Sequence, residues 1–225
     1  MERAQLKAET NARLTRERVL RAAVELTDRG GLEGLTMRRL ADELGAGAMS
    51  LYHYVPNKEE LLDGMVDLVI GEIEPPATDG DWKTEMRRRA VSMREALLRH
   101  PWAVGLIEGR MTPGPANFRF HDAALGCLRE AGFSIETTVQ ALSVQDAYIY
   151  GFALQEKNLP FDNPEESAAV AETHAAQVDD LAKHFPYLAE IVAGHVATVG
   201  YDFGEAFEYG LELILDALDK RRATA

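Results

Sequence analysis

The chain has 225 residues, 46% hydrophobic and 27% charged, which suits one large or two small globular domains and excludes a disordered chain. Its 24 Lys+Arg stand against 37 Asp+Glu, and the net charge of −13 argues against a uniformly cationic nucleic-acid coat or a membrane-surface binder. With no run of ~18 apolar residues, no apolar signal core in residues 1–9 and a single cysteine, Cys127, a soluble cytoplasmic protein is expected.

The elements read as helices throughout, giving an all-α fold. Thr15 caps a first helix with Val19, Ala22, Ala23 and Leu26 on one face, and Gly30-Gly31 stops it. Thr36 caps a two-turn helix carrying Met37, Leu40, Ala41 and Leu44, broken at Gly45-Ala46-Gly47. A third short helix is expected from Ala48 to Val55, ahead of Pro56. Asn57 with Glu60 makes a capping box for a fourth helix bearing Leu62, Met65, Val66, Val69 and Ile73. Pro75 to Asp81 is the clearest linker.

Helices then follow at Trp82–His100, around Val104–Gly109, and through Phe118, His121, Leu125 and Leu128 to Gly132. A helix over 134–156 is apolar on two faces, and further helices are expected at 165–184 and 187–199. The last helix runs from Asp202 to Arg222 with acidic residues at its start and basic ones at its end, complementing its dipole.

The segment 36–55 carries the functional signal. Two short helices around a glycine-containing turn make a helix-turn-helix, which lays its second helix in a DNA major groove. Leu40, Ala41, Leu44 and Leu51 can form its inner face, and Arg38, Ser50, Tyr52, His53 and Tyr54 its outer one. An ordinary helical hairpin satisfies the same pattern. Charge is uneven too: residues 1–41 hold 9 Lys+Arg and 6 Asp+Glu, a balance of +3 that leaves −16 for residues 42–225. An acidic partner would therefore be met by the N-terminal end.

The runs Leu35 to Gly45, Ser50 to Tyr54 and Asn57 to Leu62 resemble the TetR family of bacterial transcriptional regulators, densely over residues 15–66. From Trp82 the chain is more loosely similar to the C-terminal domain of the tetracycline-repressor type, through Ala96–His100, Ala131–Ser134 and Tyr209–Ile214. The resemblance implies an N-terminal DNA-binding domain over 1–62 and an effector-binding, dimerising domain over 63–225. It implies that Thr36 and Arg38 touch phosphate and a base, and that Ala48, Met49, Ser50 and His53 form the outward face of the recognition helix. Tyr52 and Tyr54 would meet the sugar-phosphate backbone or pack beside it, and Lys58 would hold a phosphate with nearby N–H groups. The positions that grip the drug–magnesium chelate in tetracycline-binding members fall near Glu74, Arg89 and Ile107, which do not reproduce that site. Tetracycline is therefore not expected as the ligand.

Met93, Trp102, Phe118, Tyr148 and Phe152 form an apolar set, and His121, Gln145 and Tyr148 add polar groups on the same helices. Plain core accounts for this set, and so does an effector pocket. The six histidines include no pair at metal-ligand spacing with a carboxylate or Cys, so neither metal nor cofactor is expected. No nucleophile–base pair or phosphate loop marks an enzyme. Pairing of the 134–156 and 202–222 helices with their copies, through Phe203, Phe207, Leu211, Ile214, Leu215 and Leu218 beside Gly210, would make a homodimer for a palindromic operator. The reading is a ligand-responsive repressor; an activator, or a regulator without a small effector, is the alternative.

Overall fold

The computed structural model describes residues 14–107, 109, 114–161, 163–173, 182–196 and 200–222, and every regular element among them is helical. In chain order these are α1 (Arg16–Gly34), α2 (Met37–Glu43), α3 (Ala48–Leu51), α4 (Lys58–Ile70), α5 (Trp82–Arg99) and α6 (Val104–Ile107). They continue as α7 (Pro115–Glu130), α8 (Ile135–Asn158), α9 (Pro164–Thr173), α10 (Pro186–Ile191) and α11 (Phe203–Arg222). The chain divides into two compact units, Met1–Leu142 and Ser143–Ala225.

In the first unit, local capping sets the helix starts. The Thr15 hydroxyl accepts from the Arg18 N–H at 3.2 Å, and Asp81 Oδ2 accepts from the Thr84 N–H at 3.0 Å. The expected stop at Gly30-Gly31 is only a kink: Gly31 leaves helical geometry (φ 66°, ψ 172°), and one more turn runs to Gly34. There the Leu35 N–H closes back on Leu32 at 3.2 Å. α1 packs on α2 and α4, α2 on α3, α4 on α5 and α7, and α5 on α7. Leu40, Leu51, Leu61, Met65, Met86, Met93 and Leu128 are fully buried in this core. Trp82 meets Phe133 edge-to-face at 4.9 Å.

The recognition helix is shorter than its expected span of Ala48–Val55. α3 ends at Leu51, and the N–H groups of Tyr54 and Val55 both return to the Leu51 carbonyl at 2.9 Å. Pro56 restricts only Val55 before it and so bars any helix from running further, while Tyr52 to Tyr54 form a turn that closes on Leu51.

The second unit corrects two further expectations. The helix expected over 165–184 is α9 plus a turn at 182–184, with 174–181 outside the described residues. The one expected over 187–199 is α10 followed by a π-helical turn at Val192–Val196, with 197–199 outside them. On α11, Phe203, Phe207, Leu211, Leu215 and Leu218 are already buried within one chain. The Tyr148 hydroxyl donates to the Phe207 carbonyl at 2.9 Å, and the two rings stack at 5.4 Å. A Cβ on Gly210 would clash with that hydroxyl, so the glycine serves this internal contact. The stripe expected to face a second copy is therefore core: periodicity marks a buried face without saying which chain covers it.

Candidate nucleic-acid interface

Two caps and a tight turn shape the N-terminal motif. The Thr36 hydroxyl accepts from the Arg39 N–H at 3.2 Å and starts α2. After Leu44 the chain turns through Gly45 at φ 60°, a left-handed geometry that glycine adopts without strain. Leu40, Ala41, Leu44 and Leu51 are all buried, so the two helices cross on the expected inner face.

The outer face is open. Met49 is 77% exposed and Tyr52 42%, an unusual display of large apolar surface on so short an element. Thr36, Arg38, Ser50, His53 and Lys58 are exposed beside them, while Ala48 and Tyr54 are half-buried. Neighbouring arginines are used differently. Arg39 donates to the Gly34 carbonyl at 3.0 Å and Arg29 pairs with Glu43 at 2.7 Å, whereas Arg38 makes no ion pair among the described residues. Lys58 opens α4, where Asn57 Oδ1 accepts from the Glu60 N–H at 2.8 Å. The nine residues expected to meet DNA thus fall on one continuous segment, 36–58, with cationic side chains at both ends of an apolar and hydroxyl-bearing centre.

The seven effector candidates are placed less uniformly. In the first unit Met93 is fully buried and Phe118 is 61% exposed. His121 Nδ1 lies 3.1 Å from the Asn117 carbonyl of its own helix. The Trp102 indole donates to Asp28 Oδ1 at 2.7 Å. In the second unit Gln145 is fully buried, and Phe152 joins Tyr148, Phe203 and Phe207 in an aromatic cluster. Of the positions matched to the chelate site, Glu74 pairs with Arg88 at 3.6 Å and Ile107 is buried. Arg89 is fully buried with its guanidinium 4.7 Å from the Phe120 ring centre. A cationic arginine and an aliphatic side chain do not fit a magnesium chelate. Among the described residues no three His, Cys, Asp or Glu side chains are placed to hold a metal ion.

A cleft of about 430 Å³ opens between α1, α4 and α7 and is lined by none of these seven candidates. Asp28, Asp67, Glu72, His100 and Arg119 are among its walls. Burial pushes the Glu72 carboxyl up, but the Arg99 hydrogen bond and the His100 charge outweigh it and hold it below the usual carboxylate range. Sequence reading missed this group because its members carry no local pattern: Asp28 and His100 are 72 residues apart.

Comparison with known proteins agrees with this geometry at both ends of the chain. Residues 19–65 match the family described as bacterial regulatory proteins, tetR family, and residues 74–222 match the tetracyclin repressor-like C-terminal domain. The chain belongs to the TetR family. It is a DNA-binding transcriptional regulator. The TetR-family chain is 37% identical over 213 residues to the HTH-type transcriptional repressor DrrR1 of Streptomyces coeruleorubidus, covering 92% of this chain and 77% of that one. It is 35% identical over 207 residues to the class A tetracycline repressor protein of Escherichia coli, covering 91% and 90%. The crystal structure of Streptomyces coelicolor ActR in complex with actinorhodin aligns with a TM-score of 0.76 and 29% identity, over 94% of this chain and 99% of that one. No described helix is long and apolar enough to cross a membrane.

Proposed function

We propose that the protein is a homodimeric cytoplasmic repressor whose two α3 helices enter successive major grooves of a palindromic operator, and that a small, largely apolar effector releases it. The observation that carries the DNA contact is the open side of the motif, with Met49 on α3 and Tyr52 just after it exposed while Leu40, Ala41, Leu44 and Leu51 are buried beneath. Arg38 reads a base edge, Met49 and Ala48 offer apolar contact to a thymine methyl, and Lys58 with the first N–H groups of α4 holds a phosphate. Residues 1–62 form the DNA-binding domain and 63–225 the effector and dimer domain. The ActR complex with actinorhodin supports a small-molecule effector.

Dimerisation uses apolar surface that one chain leaves open. Val144 and Leu154 on α8, and Tyr209 and Leu213 on α11, are each about half exposed or more. They lie on the faces opposite the buried Gln145–Ile149–Ala153 and Phe207–Leu211–Leu215 rows. Pairing them with their copies makes a four-helix bundle with two-fold symmetry.

The test is enrichment of duplexes from a random library, followed by footprinting and a screen for small molecules that release the enriched DNA. A palindromic footprint with half-sites one helical turn apart, about 34–36 Å, is expected. A single unpaired half-site, or protein that enriches no sequence, would overturn the reading.

A further inference from the structure

The end of α5 is tied to α1 and to the segment just after α4. His100 caps α5, and its side chain is 9% exposed. Its Nδ1 lies 2.8 Å from Asp28 Oδ1 on α1, and its Nε2 lies 3.2 Å from Glu72 Oε2, just beyond α4. The same Asp28 oxygen accepts from the Trp102 indole at 2.7 Å, and the same Glu72 oxygen accepts from Arg99 at 3.0 Å. Other charged groups face this junction from every neighbouring element: Arg21 and Glu25 from α1, Asp67 from α4 and Arg119 from α7.

An ionised carboxylate can only accept a hydrogen bond, and a neutral imidazole donates from one nitrogen only. Both contacts are therefore satisfied together only when both ring nitrogens of His100 carry protons. We propose that Asp28, His100 and Glu72 form a proton-dependent brace that fixes α1 and the end of α4 against the end of α5, and through α1 and α2 holds α3 in one pose. α1 packs on α2 and α4, and α2 packs on α3, so a tilt of α1 carries the recognition helix with it. Two heads must meet grooves at fixed spacing, and a braced head has less freedom to lose on binding. When His100 loses a proton, one of its two carboxylate contacts goes and the head loosens. These three are positioning residues; none touches DNA. The brace rests on the reading that two heads share one operator, which wild-type binding in the same titration tests separately.

Fluorescence anisotropy would follow the duplex enriched by the wild-type protein, between about pH 5 and pH 8 where histidine changes charge. The wild type is expected to lose affinity as pH rises. His100→Gln and Asp28→Asn are expected to bind the operator about five-fold or more weakly at the acid end and to lose most of that pH dependence. Non-specific DNA binding is the control for the DNA-contacting surface and should change little, while the melting temperature should fall by only a few degrees, leaving each variant folded during the titration. His53 is common to all variants, so the difference between profiles belongs to the brace. Glu72→Gln alters the more exposed partner and decides the matter if His100→Gln fails to fold. A Glu72→Gln or His100→Gln profile that overlays the wild type, or tighter binding in either, would overturn the brace.

Discussion

The Asp67 carboxylate of α4 caps a different helix: its Oδ1 accepts from the Asn117 N–H of α7 at 2.9 Å. Its other oxygen lies 3.3 Å from the Ala116 N–H, so one side chain satisfies two of the unpaired donors that open α7. Gly114, which precedes α7, has no side-chain cap of its own. Asp67→Ala should cost ~1 kcal/mol, about 2–4 °C in melting temperature for a chain of this size. Asp67→Asn keeps an acceptor oxygen and should cost less. Equal melting temperatures for Ala and wild type would mean that water caps α7 as well as the carboxylate does.

Arg38 and Arg39 should part company under mutation. Arg38→Ala is expected to weaken operator binding by about 1–3 kcal/mol and to relax preference at one base pair per half-site if its exposed guanidinium reads a base edge as proposed. Arg39→Ala removes the bond to the Gly34 carbonyl and should lower stability with base preference retained. Binding to a panel of single-base operator variants checks both, and a uniform loss with Arg38→Ala would make it a phosphate contact.

Leu211 and Leu213 are two residues apart and answer different questions. Leu211 is fully buried in one chain, so Leu211→Asp should unfold it, because an unpaired buried charge costs several kcal/mol. Leu213 is 56% exposed, so Leu213→Asp should leave a folded monomer with weak operator binding. Sedimentation beside circular dichroism separates the two outcomes. A Leu213→Asp protein that remains dimeric would move the dimer face elsewhere.

Cys127 should behave as inert core. Burial first, then the charges of Glu85 and Asp81, push its thiol from an ordinary 9.0 up to about 11 against the opposing pull of Arg89. The folded chain thus holds this proton more tightly than the unfolded one. Its contribution to stability is full below pH 9 and is lost as pH rises toward about 11. At pH 8 a thiol reagent should label native protein far more slowly than protein in denaturant. Equal labelling rates would show that the thiol is reached without unfolding.

The helix-turn-helix was legible before any coordinates because each of its signals is local. Thr36 and Asn57 cap within three residues of themselves, Gly45 marks the turn, and Leu40, Ala41, Leu44 and Leu51 repeat at helical spacing. The same holds for the starts of α1 and α5, though α3 stops at Leu51, short of what periodicity indicates.

Contacts between distant segments were not legible. Periodicity along α11 marked Leu211 as buried, yet only the packing of Tyr148 onto Phe207 and Gly210 assigned that burial to its own chain. The effector set had the composition of a pocket, but the fold buries Met93, exposes Phe118 and ties Trp102 to Asp28. Nothing beside Asp28 in the chain announces His100, because a hydrogen bond depends on distance in space and a sequence records distance along the chain. By itself the sequence determined which helices form and which face of each is apolar, since propensity, capping and period act over a few residues. Tertiary structure alone decided what covers those faces and which carboxylates meet His100, since those depend on how helices far apart in the chain pack.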